Sequence, residues 1–119
     1  MKGRCHCGAV EIAVTLADGL ATARRCDCSF CARRGAVAVT ARLGDLRVTK
    51  GADNLTLYQW GTGTAKHWFC KTCGIYTHHQ RRSNPNEYGV NAAILGGVHL
   101  PDLGDVPWRD GRNHPSDRN

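Results

Sequence analysis

The chain has 119 residues, enough for one domain with a small core. At 41% hydrophobic and 22% charged it is not a disordered chain, and no stretch approaches the roughly 20 apolar residues that a membrane-crossing helix needs. The formal charge of +6 leaves a polyanionic partner open, while seven cysteines, an odd number, argue against a fully paired disulfide framework.

In chain order, "MKGRCHCGAV" lacks the apolar core of a signal peptide, so the expected location is the cytoplasm, where thiols stay reduced. "AVEIAVTL" (9–16) has the β-branched alternation of a strand, and "ADG" turns the chain. "RRCDCSFCARRG" (24–35) has neither the strand nor the helix period and is expected to be a loop. "AVAVTARL" (36–43) alternates again, followed by two short strands, "LRVTKG" (46–51) and "LTLYQW" (55–60). "GTGT" is a turn before "AKHWF" (65–69), which leads into "CKTCG". "IYTHHQ" (75–80) and "YGVNAAIL" (88–95) flank the loop "RRSNPNE", and the Pro, Gly, Asp and Asn content from Pro101 predicts an irregular tail. Short strands at this spacing, without a 3.6-residue pattern, predict a single all-β domain over residues 1–119. A core of that size gains from a metal staple.

The cysteines fall into two kinds. Cys5-His6-Cys7-Gly8 and Cys70-Lys71-Thr72-Cys73-Gly74 each end on a glycine, which tolerates the positive φ of a tight turn around a metal. Each pair offers two ligands, so Cys5, Cys7, Cys70 and Cys73 together make one closed four-cysteine zinc site, structural because no position is left for substrate. The 62 residues between Cys7 and Cys70 are no obstacle, since loop-closure entropy grows slowly with length. Cys26, Cys28 and Cys31 remain as a trio that offers a second zinc three thiolates and an open fourth position, the arrangement of catalytic zinc. Arg24, Arg25, Arg33 and Arg34 flank the trio, favour thiolate over thiol and suit an acidic thiol substrate. Two Zn²⁺ per chain are thus expected, with the sites carrying −2 and −1. That brings the +6 down to +3 and makes nucleic acid a poor fit as partner.

Blander readings stand beside this one. The trio could be redox-sensitive surface cysteines, or His67, His78 or His79 could close a second structural site. His78 and His79 are adjacent in a strand, so only one can face a given site. Trp60, Trp68 and Tyr76 are expected as core or pocket wall, and Arg81 and Arg82 as solvated charges beside a loop.

Taken together, "GRCHCGAV", "CDCSFC" and "HWFCKTCGIYT", in that order and spacing, resemble the glutathione-dependent formaldehyde-activating enzyme family, also called centromere-protein-V-like or S-(hydroxymethyl)glutathione synthase. The resemblance runs from Gly3 to about the "DGRNHP" tail and takes in all seven cysteines. It implies a zinc-ribbon-like β-tent fold, with Cys5, Cys7, Cys70 and Cys73 on the structural zinc and Cys26, Cys28 and Cys31 on the catalytic one. The implied activity is that of a carbon–sulfur lyase joining formaldehyde and glutathione to S-hydroxymethylglutathione. Asp27 stands inside the first CxC of the trio, where this family often has histidine. The reading from another class is a non-catalytic, zinc-stabilised binding module for a protein or nucleic-acid partner.

Overall fold

The computed structural model describes residues 1–113, so His114 and Pro115 of the "DGRNHP" segment and the end of the 1–119 span lie outside the described residues. In chain order the elements are β1 (Lys2–Arg4), β2 (Glu11–Leu16), β3 (Arg25–Cys26), α1 (Ser29–Arg34) and β4 (Ala38–Lys50). They continue with β5 (Leu55–Tyr58), β6 (Lys66–Cys70), β7 (Tyr76–Gln80), β8 (Glu87–Asn91) and β9 (Trp108–Arg109). Seven strands make one sheet in the order β1-β2-β4-β8-β7-β6-β5, antiparallel at every pairing, which agrees with the all-β expectation. Among the described residues no helix is long and apolar enough to cross a membrane.

Alternation explains the core. Ile12 and Val14 of β2, Val39, Ala41 and Leu46 of β4 and Val90 of β8 point to one face and are buried together with Val37 and Leu95. β-branched side chains fit that pleated, half-buried surface. A smaller cluster of Cys5, Val10 and Cys70, flanked by Leu55 and Cys73, forms where the four-cysteine group gathers.

Four sequence expectations need correction. The two strands expected at 36–43 and 46–51 are one strand of 13 residues. Its first half pairs with β8, while on its other side the register slips between Val14 and Leu16 of β2, so the residues around Gly44 are taken up in a bulge. The stretch 24–35 is not a plain loop but holds β3 and α1, elements too short to show a period. β1, absent from the expected elements, pairs with β2. The tail is less irregular than predicted: Leu100–Leu103 form a 3-10 turn, Leu100, Leu103 and Val106 pack on the core, and β9 pairs with β3 in parallel.

Candidate functional site

Cys26 ends β3, Cys28 is the N-cap of α1 and Cys31 lies in its first turn. Local hydrogen bonding shapes this corner: the Cys31 N–H donates to Cys28 Sγ at 3.2 Å, and the helix ends on Gly35 at φ 69°, where Gly35 N–H donates to Cys31 O at 2.9 Å. The three Sγ atoms come within 4.8 Å of one another and could hold a metal. Thiol donors on Cys26 and Cys31 hold Cys28 down to about 2, whereas crowding against the other two sulfurs pushes Cys31 far above the ordinary thiol range. Three sulfurs around one focus of negative charge is a donor set suited to a soft divalent cation.

The other four cysteines meet from distant parts of the chain, Cys5 and Cys7 between β1 and β2, Cys70 at the end of β6 and Cys73 in the turn to β7. Gly8 and Gly74 after the pairs sit at φ 80° and 79°, as the glycine pattern predicts. Sγ of Cys7 lies 3.7 Å from both Cys5 Sγ and Cys70 Sγ. A tetrahedron with zinc–sulfur bonds of about 2.3 Å has an edge of about 3.8 Å, so the spacing fits a Zn²⁺ held by four cysteines. Val10 N–H donates to Cys5 Sγ at 3.3 Å and Asn54 Nδ2 to Cys70 Sγ at 3.4 Å. Backbone N–H groups of Cys7 and Ile75 hold the Cys73 thiol down to about 6. Each of the two sets thus brings its sulfurs close enough together to hold a metal ion.

A cavity of about 410 Å³ opens beside the trio. Cys26, Cys28 and Cys31 form one side, and among the described residues Arg24, Arg34, Arg81, Arg82 and Arg109 bring five guanidinium groups to the lining and Asp110 one carboxylate. Among the described residues, Arg34 Nε, Trp60 Nε1, Arg81 Nε and Arg82 Nη1 are buried donors without an acceptor, and all four residues line this cavity. An unsatisfied buried donor costs free energy.

Among the described residues, Arg34, one of the four arginines next to the trio in sequence, bonds to it, with Nη2 3.5 Å from Cys31 Sγ. Its Nη1 is 3.1 Å from His67 Nδ1, and its guanidinium lies 3.7 Å over the Tyr76 ring and 4.7 Å over that of Phe30. Arg24 spends its Nη1 on Thr22 O, Ala38 O and Thr40 Oγ1, while Arg25 caps Gly35 O and Arg33 its own helix at Ser29 O. A guanidinium only donates, so His67 Nδ1 accepts and the ring carries its proton on Nε2. Burial first, then the Arg34 charge, lowers His67 to about 4, so it is neutral near pH 7.

His67 faces His79 across the β6–β7 pair, their rings stacked at 4.9 Å, and Tyr76 Oη is 2.6 Å from His79 Nδ1. His78 lies on the other face, stacked on Trp68 at 4.9 Å, as strand geometry requires. Arg81 and Arg82 are not the solvated charges expected of a loop border. Arg81 is 11% exposed, reaches Thr40 Oγ1 at 2.7 Å and pairs with Glu87 at 3.7 Å. The signal was present, because Arg81 follows His79 by two residues and so continues the same face.

A family model described as glutathione-dependent formaldehyde-activating enzyme matches residues 1–102. Among solved structures, the chain is similar to the crystal structure of a Rhodobacter sphaeroides protein, a structural-genomics target. The two are 77% identical, covering 92% of this chain and 100% of that one, with a TM-score of 0.91. The match takes in both cysteine sets and all of the sheet, and on that extent the chain belongs to the glutathione-dependent formaldehyde-activating enzyme family.

Proposed function

We propose that the chain is a zinc-dependent carbon–sulfur lyase that joins formaldehyde to an anionic thiol of the glutathione type, reversibly, in the cavity beside Cys26, Cys28 and Cys31. The observation that supports it most is that the cysteine trio and five arginines, Arg24, Arg34, Arg81, Arg82 and Arg109, line one cavity. Glutathione brings two carboxylates and a thiol, which matches the arginines at one end and a sulfur-binding corner at the other.

Zinc bound by the trio supplies Lewis acidity and an affinity for thiolate sulfur. Arg34, Arg81 and Arg82, with Trp60 Nε1, bind the carboxylates and fix the sulfur's approach. As the sulfur pair attacks the carbonyl carbon, the C=O π pair moves to oxygen, which takes a proton from solvent. His67 holds its proton on Nε2 and donates a hydrogen bond to that growing charge, a role its low pKa suits better than that of an acid. Cys5, Cys7, Cys70 and Cys73 hold a structural zinc and take no part in the chemistry.

Two-dimensional exchange NMR on ¹³C-formaldehyde, glutathione and the zinc-loaded protein measures formation of S-hydroxymethylglutathione directly. The expected result is exchange faster than without protein, abolished in Cys28→Ser. Exchange at the uncatalysed rate with two zincs bound would overturn the reading.

A further inference from the structure

The segment after residue 102, where the family match ends, supplies part of the reactive pocket. Arg25 N–H donates to Pro107 O at 2.9 Å and Asp27 N–H to Arg109 O at 3.1 Å, which seats β9 along β3. Beyond β9 the chain would be free to leave, yet it turns onto the trio. Asp27 Oδ1 accepts from the Gly111 N–H at 2.7 Å and the Arg112 N–H at 3.1 Å, and Arg82 Nη2 donates to Gly111 O at 3.3 Å. Of residues 107–113 Gly111 alone is buried. A Cβ there would fall inside contact distance of Cys26 Sγ and within 2.8 Å of Cys28 Cβ, so only glycine lets the backbone come this close. Arg109, Asp110 and Gly111 all line the cavity.

We infer that Asp27 is a positioning residue whose carboxylate latches residues 107–112 across the cysteine trio, making the C-terminal segment a specificity-determining wall of the reactive pocket. Two backbone donors on one carboxylate oxygen make a charge-assisted clamp across 84 and 85 positions of sequence. Asp27 thus serves the strap rather than the thiol, and the wall limits which thiols reach the trio. The consequence for substrate rests on the trio being the reactive centre; the latch itself does not.

The test compares Asp27→Ala, Asp27→Asn and Gly111→Ala in the full chain with zinc bound. Amide hydrogen exchange is the first readout. In Asp27→Ala the Arg112 amide should exchange about tenfold to a hundredfold faster, the scale of a lost hydrogen bond to a charged group, and the Gly111 amide, which also reaches Arg109 O at 3.1 Å, faster by less. Asp27→Asn keeps an accepting oxygen and should restore most of the protection. Gly111→Ala should free the Arg112 amide although Asp27 is intact, because the new methyl meets the Cys26 sulfur. The second readout is kinetic: KM for glutathione rises severalfold in Asp27→Ala while kcat holds, and bulkier thiols are turned over that the native protein rejects. Unchanged exchange at Gly111 and Arg112 in Asp27→Ala overturns the latch, as does an Asp27→Asn that fails like alanine. Faster exchange with KM and thiol preference unchanged overturns the specificity role. A native protein inactive on every thiol counts against the lyase reading, and the exchange arm still decides the latch.

Discussion

Replacing Arg34 by methionine separates two effects that the structure joins in one side chain. Methionine keeps much of the stem's volume over Tyr76 and Phe30 but removes the charge, the bond to Cys31 Sγ and the bond to His67 Nδ1. The lost cation–π contacts and hydrogen bonds amount to about 2–4 kcal/mol gross. Part of this is offset because Arg34 Nε, buried without an acceptor, also disappears. The fold should therefore survive with a net loss of about 1–2 kcal/mol. At a metal held by the trio, losing the hydrogen-bond partner of the Cys31 sulfur should weaken binding roughly 10- to 100-fold. Chelator competition should show one of two zincs released that much faster, with the four-cysteine zinc unmoved. His67 provides an independent reading. Burial is the main cause of its lowered pKa and remains, but the Arg34 charge goes, so the value should climb from about 4. We expect a rise of about one unit by NMR titration of the ring, worth about 1.4 kcal/mol. Arg34→Lys keeps the charge without the fork and should leave His67 low. If Arg34→Met shows native zinc release and an unmoved His67, Arg34 neither supports the trio nor sets the histidine's state.

The two cysteine sets should respond differently to single substitutions. Cys70→Ser opens a site whose ligands tie Cys5 and Cys7 to the β6–β7 turn and should lower the melting temperature by more than 10 °C, whereas Cys28→Ser should cost a few degrees and one bound zinc; equal melting losses contradict that division. Burial holds His78 to about 4, so between pH 6.5 and 4 the unfolded chain takes up a proton that the folded one refuses. Stability is accordingly full above pH 6.5 and falls by up to about 3 kcal/mol on the way down, and His78→Gln should flatten that slope; parallel melting-versus-pH curves for the two proteins refute it. Trp60→Phe removes a donor that no protein atom satisfies, so the unliganded protein should change by less than about 1 kcal/mol while glutathione affinity, by calorimetry, falls about fivefold. Unchanged affinity would remove Trp60 from the binding surface.

The two cysteine groups were legible because their signal is local: spacing, a following glycine and the parity of the cysteine count reside in a few residues each. Most strands were legible for the same reason, since "EIAVTL" or "YTHHQ" carries its alternation within itself. What escaped depends on partners far away in sequence. β3 and β9 are two residues each, and neither has a pattern until the other lies beside it. α1 is under two turns, too short for periodicity, and its N-cap is a cysteine, not a usual helix-start residue. Arg81 borders a polar loop, and although it continues the face of His79, its partners Thr40 and Glu87 lie 41 and six positions away. Asp27 was noticed only as an oddity between two cysteines; its role lies with Gly111 and Arg112.

The two cysteine sets also differ in when they can come into being. The trio is drawn from six consecutive positions, so it is complete once the first third of the chain exists. The four-cysteine set waits for Cys73 and, once filled, stitches the β1-β2-β4 side of the sheet to the β5-β6-β7 side, which otherwise meet along the β4–β8 seam. For a chain made from its N-terminus, an ion is thus offered three ligands well before the four-ligand site exists. If both sets take up metal, supply during synthesis would act as a timer, with the early trio capturing first and the late tetrad locking the seam. Chelator present during refolding should slow closure of that seam far more than it disturbs either half.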